Sequence, residues 1–181
     1  MLETLNGQDF ILGFQDESAQ RIWSDRSRVW SVGRPVCRHN TNRINANVFG
    51  FYAINGISVS FFPDRSRKED MCRFLDKVRE ANGERKMVMI LDNCPVHRSA
   101  VVKEHAAVLD IILLFLPPYS PQFNPIELIW KTVKRAISRA FLLYKDHLVA
   151  LVEEVFAKEA VKASYLTAWK ADFLSNIILK S

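Results

Sequence analysis

Apolar positions change their rhythm several times along this chain, and each change predicts an element. Phe10-Ile11-Leu12-Gly13-Phe14 is a short apolar run entering polar residues, as a buried strand would. An arginine- and serine-rich stretch follows, broken by Gly33 and Pro35, and reads as a turn or hairpin. Residues Asn47 to Ile54 and Ile57 to Phe62 are rich in strand formers and flank Asn55-Gly56. That dipeptide supplies the positive φ angles of a two-residue turn, so the spacing predicts a hairpin. From Ser66 the period becomes helical, with Met71, Phe74, Leu75 and Val78 on one face and Asn82-Gly83 as the stop. Met87 to Leu91 is a continuous apolar run ending at Asp92, typical of a strand buried on both faces. A helix is predicted from about Ser99 to Val108, then a second buried strand from Ile111 to Leu116. The prolines of Pro117-Pro118-Tyr119-Ser120-Pro121-Gln122-Phe123 exclude regular structure there. The next helix takes Asn124 as N-cap and Pro125 as first residue, with Ile126, Ile129, Trp130, Val133 and Ile137 as its apolar stripe. Two tail helices follow, one on Leu148, Leu151, Val152, Val155 and Phe156, the other on Tyr165, Trp169 and Phe173.

This order, β-β-β-α-β-α-β-α with a helical tail, predicts an α/β fold. Three antiparallel strands join two crossover strands in a mixed five-stranded sheet with helices on its faces. No internal repeat or low-complexity linker divides residues 1–181, so one domain is expected. A hydrophobic share of 49% is enough for a real core. No apolar run approaches the roughly 20 residues that cross a bilayer, and the first residues lack the basic region of a secretory signal. The chain is expected to be soluble and intracellular, in the cytoplasm or nucleoid if its source is prokaryotic, with no membrane partner. Cys37, Cys72 and Cys94 are scattered and none are spaced C-x-x-C, which indicates neither a zinc site nor a disulfide framework.

The net charge of +5 permits a polyanionic partner without establishing one. Its distribution says more. Basic residues gather at Arg21, Arg26, Arg28, Arg34 and Arg38, again at Arg65, Arg67 and Lys68, and again at Lys131, Lys134, Arg135 and Arg139.

Three carboxylates stand where the chain is expected to leave regular structure. By period-two counting, Asp16 continues the Phe10, Leu12, Phe14 side of the first strand. Asp92 ends the fourth strand, the end at which open α/β sheets place ligands. Glu127 lies in the first turn of the helix after the proline loop. Each also has a purely structural reading. Asp92 before Asn93 and Pro95 suits an Asx-turn. Glu127 occupies the capping-box position relative to Asn124 and stands four residues before Lys131. Asp16 competes with Glu17 and Asp25 for any role.

The assembled pattern outweighs the single residues. Leu91-Asp92-Asn93-Cys94-Pro95-Val96-His97, followed by Pro117-Pro118-Tyr119-Ser120-Pro121 and Asn124-Pro125-Ile126-Glu127, resembles the mariner superfamily of DDE transposases, including its bacterial and archaeal insertion-sequence members. The 34 residues between Asp92 and Glu127 match the glutamate-ending branch of that family. Gln15-Asp16-Glu17-Ser18, with Trp23 and the segment from Trp30 to Pro35, is a looser match to the region of the first aspartate. The resemblance covers roughly Ile11 to Ile137.

The resemblance implies a ribonuclease H-like fold, in keeping with the element order. It implies that Asp16, Asp92 and Glu127 are catalytic and bind two magnesium or manganese ions, hard cations suited to carboxylate oxygens. Those ions would activate a water or a DNA 3′-hydroxyl and stabilise the departing oxygen at phosphorus. No small-molecule cofactor is implied. DNA would be the partner, as transposon ends and as target, with a homodimer on the DNA to pair two ends. His97 matches the family's histidine and is a candidate for contact with metal-bound water or a phosphate. Lys131, Lys134 and Arg135 could grip the DNA backbone, and so could Arg34 within its arginine cluster; a solvated helix face explains the first three equally well. A ribonuclease H-like endonuclease without strand transfer, or an inactive domesticated DNA-binding remnant, are the alternatives. Family members carry an N-terminal helix-turn-helix region that reads the terminal repeats, and no such region is expected in these residues. Binding of this chain to DNA should therefore be weak, indifferent to sequence and strongly salt-dependent, which a titration between about 50 and 200 mM salt measures; tight, repeat-specific binding would contradict it.

Overall fold

The computed structural model describes residues 10–22, 32–33, 43–118, 120–162, 164–165 and 167. Five strands form one sheet: β1 (Phe10–Ile22), β2 (Ile44–Ala53), β3 (Val59–Phe61), β4 (Lys86–Leu91) and β5 (Ile111–Phe115). Four helices accompany them: α1 (Lys68–Asn82), α2 (Ala100–Val108), α3 (Ile126–Arg139) and α4 (Lys145–Ala160). The strand order is β3-β2-β1-β4-β5. β1 and β3 each pair antiparallel with β2, whereas β4 pairs parallel with both β1 and β5. This is the mixed sheet expected from the element order.

Alternation along the strands sorts the core into two halves. Phe14, Val48 and Tyr52 face one side and pack with Ile126, Trp130 and Val133 of α3 and Leu148, Val152 and Phe156 of α4. Ile11, Phe49, Phe51, Met87, Met89 and Leu91 face the other and meet Met71, Phe74, Leu75 and Val78 of α1 and Val102 of α2. Both faces of the sheet are covered, which is why β4 is apolar at consecutive positions. Ser99 caps α2 by accepting the Val102 N–H, and Gly83 at φ 67° ends α1, as the stop signals predicted.

Four expectations need correction. β1 is longer than the apolar run, because β2 pairs with it through the polar residues, from Gly13↔Ala53 to Ile22↔Ile44. Asp16 therefore lies within a strand. The Asn55-Gly56 hairpin does not form as a two-residue turn, which would pair Ile54 with Ile57; the ladder runs Phe49↔Phe61 to Phe51↔Val59, a register one residue away. Among the described residues only Asp110 and Gly83 have positive φ. Asn55 is drawn off to β1, its side-chain amide accepting from Leu12 N–H and donating to Phe10 C=O, both at 2.8 Å. Gly56 is needed for room: a Cβ there would lie 2.6 Å from Asn82 Oδ1 and 2.8 Å from Ile11 Cγ2. The proline loop is not wholly irregular, since Pro121–Phe123 makes one 3-10 turn with proline at its start, where its missing N–H costs nothing. Finally, α3 begins at Ile126 and not at Pro125, although Asn124 Oδ1 still accepts from the Ile126 N–H at 3.4 Å. The last tail helix falls almost wholly outside the described residues, as does most of the arginine-rich stretch after β1.

Gly50 sets the seat of α3. It pairs with Asp16 across β1 and β2, and an added Cβ would come within 2.6 Å of Trp130 Cζ2 and 3.0 Å of Ile126 Cδ1. Trp130 is buried and stacks on Phe156 at 5.2 Å between ring centres, so the ring has nowhere to retreat. Gly50→Ala should lower stability by about 1–3 kcal/mol through overpacking, measured by urea unfolding. A change below about 0.5 kcal/mol would contradict this seating.

Candidate active site

Parallel pairing brings the first two carboxylates together. The ladder of β1 and β4 runs from Phe10↔Lys86 to Phe14↔Ile90 and then ends. The same register carried two residues further sets Asp16 beside Asp92, at the point where the two strands part. This is the carboxyl end of the parallel strands, where such sheets open a crevice. The third carboxylate arrives on α3. Asn124 is buried and its Nδ2 donates to the Gln15 C=O at 2.9 Å, which ties the start of α3 to β1. Glu127 follows in the first turn. Asp16, Asp92 and Glu127 then line one cavity of about 600 Å³, with Asn93, Cys94, Arg98, Asn124 and the proline loop as its other walls.

The structural readings of these carboxylates come out differently. Asp92 does make the Asx-turn, its Oδ1 accepting the Cys94 N–H at 3.1 Å. Glu127 makes no capping box, because the Asn124 N–H that its carboxylate would have to accept goes to Pro121 C=O. Among the described residues no ion pair joins Glu127 to Lys131 either. Its exposed carboxylate is free to face the cavity. The contest between Asp16 and Glu17 is decided by the pleat. Asp16 points to the α3 side with Phe14, whereas Glu17 points to the opposite side with Ile11. Asp25 lies outside the described residues.

His97 takes a place that its sequence position did not suggest. It is buried, with Nδ1 2.7 Å from Asp92 Oδ1 and Nε2 3.1 Å from Glu17 Oε1. A ring set between two carboxyl groups is favoured in its charged form, in which both nitrogens donate. Burial opposes that charge, but the bonds to Asp92 and Glu17 outweigh it and push the histidine up to about 10. The His97 bond in turn holds Asp92 below the usual carboxylate range. Both ring nitrogens of His97 are thus engaged by carboxylates of the protein. Lys131, Lys134 and Arg135 are exposed along α3, as a DNA-facing role requires. Arg34 lies outside the described residues. Arg98 and Cys94 in the cavity wall, and Asn124 as the link to β1, are contributions for which no local pattern in the sequence calls.

Electrostatics record the crowding of these carboxylates. Asp16 is raised to about 7, first by burial and then by the negative charges of Glu127 and Asp92; its neighbouring backbone and the Trp130 indole relieve this only in part. Among the described residues, no three of these side chains close on a single point as tightly as a bound ion demands. They stand around the cavity and would have to draw in. The donors are all carboxylate oxygens, which suits magnesium or manganese and not a soft metal. The fit is good.

A family model, described as DDE superfamily endonuclease, matches residues 12–149. The chain belongs to that family. No curated protein matched the chain. Crystal structures of the mariner transposase Mos1 are similar in fold. The Mos1 mariner paired-end complex with Mn has a TM-score of 0.64 at 13% identity, covering 88% of this chain and 53% of that one. The Mos1 strand transfer complex has 0.62 at 14%, covering 89% and 52%. The catalytic domain of Mos1 alone has 0.58 at 12%, covering 88% and 78%. The DDE endonuclease chain described here thus spans about half the length of the Mos1 chains in those complexes. Its ribonuclease H-like fold is the one they share.

A carboxyl raised in the fold binds its proton more tightly folded than unfolded, so its ionisation costs stability as pH rises from 3.8 to about 7. Asp16→Asn should therefore unfold at a higher temperature than the parent at about pH 8 in chelator, and the gap should close as pH falls toward 4. Equal unfolding temperatures at pH 8 would show that Asp16 carries no such charge strain.

Proposed function

We propose that this chain is the catalytic domain of a mariner-type DDE transposase, which cuts the phosphodiester backbone at transposon ends and joins them to target DNA. The observation that carries the reading is the convergence of Asp16, Asp92 and Glu127 on one cavity at the carboxyl end of β1 and β4. Membership of the DDE endonuclease family supports the cleavage step. The likeness to Mos1 paired-end and strand-transfer complexes supports the choice of transposition, a homodimer on DNA and the use of Mg or Mn.

Asp16, Asp92 and Glu127 would hold two magnesium or manganese ions. Bound there, such ions supply Lewis acidity to the attacking and departing oxygens of an in-line displacement at phosphorus. The residues themselves supply place and charge. Asp92 is kept ionised and oriented by His97 and the Cys94 N–H. Glu127 is carried in the first turn of α3, at the positive end of the helix dipole. Arg98 offers a guanidinium within the cavity to a phosphate oxygen. Lys131, Lys134 and Arg135 extend the positive surface along α3 and would follow the DNA backbone beyond the cut. Arg34 is retained as a candidate phosphate contact on its sequence position alone.

With Mn2+ and DNA carrying the element's ends, the parent chain should cleave and join. Asp92→Ala and Glu127→Ala should each cut slower by roughly a thousand-fold or more, the loss expected when several kcal/mol of charge stabilisation is removed, while DNA affinity in a binding assay stays near the parent's. Full activity in either variant would overturn the site. Cut DNA with no joined product would assign the chain to endonucleases without strand transfer, and no cleavage by the parent would make it an inactive remnant.

A further inference from the structure

The orientation of the Asp92 carboxylate is held by two donors of the protein, and Glu17, on the far side of the sheet, completes the hold. Two donors meet on Asp92 Oδ1, the Cys94 N–H at 3.1 Å and the His97 ring at 2.7 Å. Rotation of the carboxylate would break both, so Oδ2 is the oxygen left for a cation. His97 is itself held at its other end by Glu17 Oε1 at 3.1 Å. That second bond fixes the far end of the ring. Glu17 stands back from the cavity, which is lined by Asp16 and not by its neighbour. Consecutive residues of β1 thus serve the same crevice from opposite faces, one directly and one through a histidine.

We propose that Glu17 is a positioning residue that acts through His97 to fix the Asp92 carboxylate for cation binding. The proposal rests on the reading of Asp92 as a cation ligand. It requires reach and an acceptor oxygen at position 17, and it does not require charge there. Hydrogen-bonded partners of metal-ligating groups contribute about 10- to 100-fold to metal affinity or activity, because they set the orientation that the ligand must otherwise find for itself.

Two conservative variants separate reach from charge. Glu17→Gln keeps the length and the acceptor but loses the charge; Glu17→Asp keeps the charge but falls short of His97. The dissociation constant for Mn2+ alone is measured by calorimetry, with the Mn2+-induced rise in unfolding temperature as a second readout. Glu17→Gln should bind Mn2+ as the parent does, and Glu17→Asp about 10-fold more weakly. Cleavage should follow the same order, with Glu17→Asp recovering as Mn2+ is raised. The reverse order would make Glu17 a ligand or counter-charge and overturn the proposal. So would two variants that both match the parent. If the parent itself binds no Mn2+ at millimolar concentration, or binds it equally well as Asp92→Ala, the reading of the site fails first, and the two failures are told apart.

Discussion

Between Phe14↔Ile90 and the ends of their strands, β1 and β4 stop pairing, and the site exists because of where they stop. Five residue pairs of parallel ladder hold the register that sets Asp16 beside Asp92. Beyond them β1 continues on its other edge with β2, so Asp16 and Glu17 stay in rigid extended backbone while β4 turns away at Asp92. A cleft with one wall of strand and one wall of loop results. A shift of one residue in that register would move Asp16 to the far face and bring Glu17 to the cavity.

The remaining elements secure this parting of strands. Gly50 leaves room for Trp130, which lets α3 lie close against β1 and β2. Asn124 then clamps the first turn of α3 to the Gln15 carbonyl, one residue before Asp16. Three carboxylates are driven together by packing that has no regard for their repulsion, and the raised Asp16 carboxyl is the electrostatic consequence. On the opposite face His97 offers compensation, shared between Asp92 and Glu17. One site is thus supported from both sides of the sheet: apolar packing and one amide below, an ion-paired histidine above.

The uneven legibility of the site follows from the range of the forces involved. Asp92 and Glu127 were readable because their surroundings are local: a buried strand ending in Asp-Asn, a proline loop, a cap and an amphipathic helix, each encoded within a few residues. Asp16 was distinguished from Glu17 only by counting pleats, and β1 had to continue past its apolar run for that count to hold. His97 was visible as a residue but not as a link, since its second partner is 80 positions away. Asn55-Gly56 shows the opposite failure. Its local preference for a tight turn was overruled by two hydrogen bonds to β1, contacts 43 and 45 residues distant in the chain.

By itself the sequence determined the element order, the two-faced core, the motif that spans Asp92 to Glu127 and the carboxylate chemistry of the site. Periodicity, capping and turn preferences operate over one or two turns of chain, and those features are built at that scale. Only the tertiary structure decided that β1 runs on far enough to carry Asp16 into the cavity, that Asn124 ties α3 to β1, and that His97 joins Asp92 to Glu17. Each of these depends on strand register and on helix seating against the sheet, which are settled by packing between segments far apart in the chain and leave no mark on any one of them.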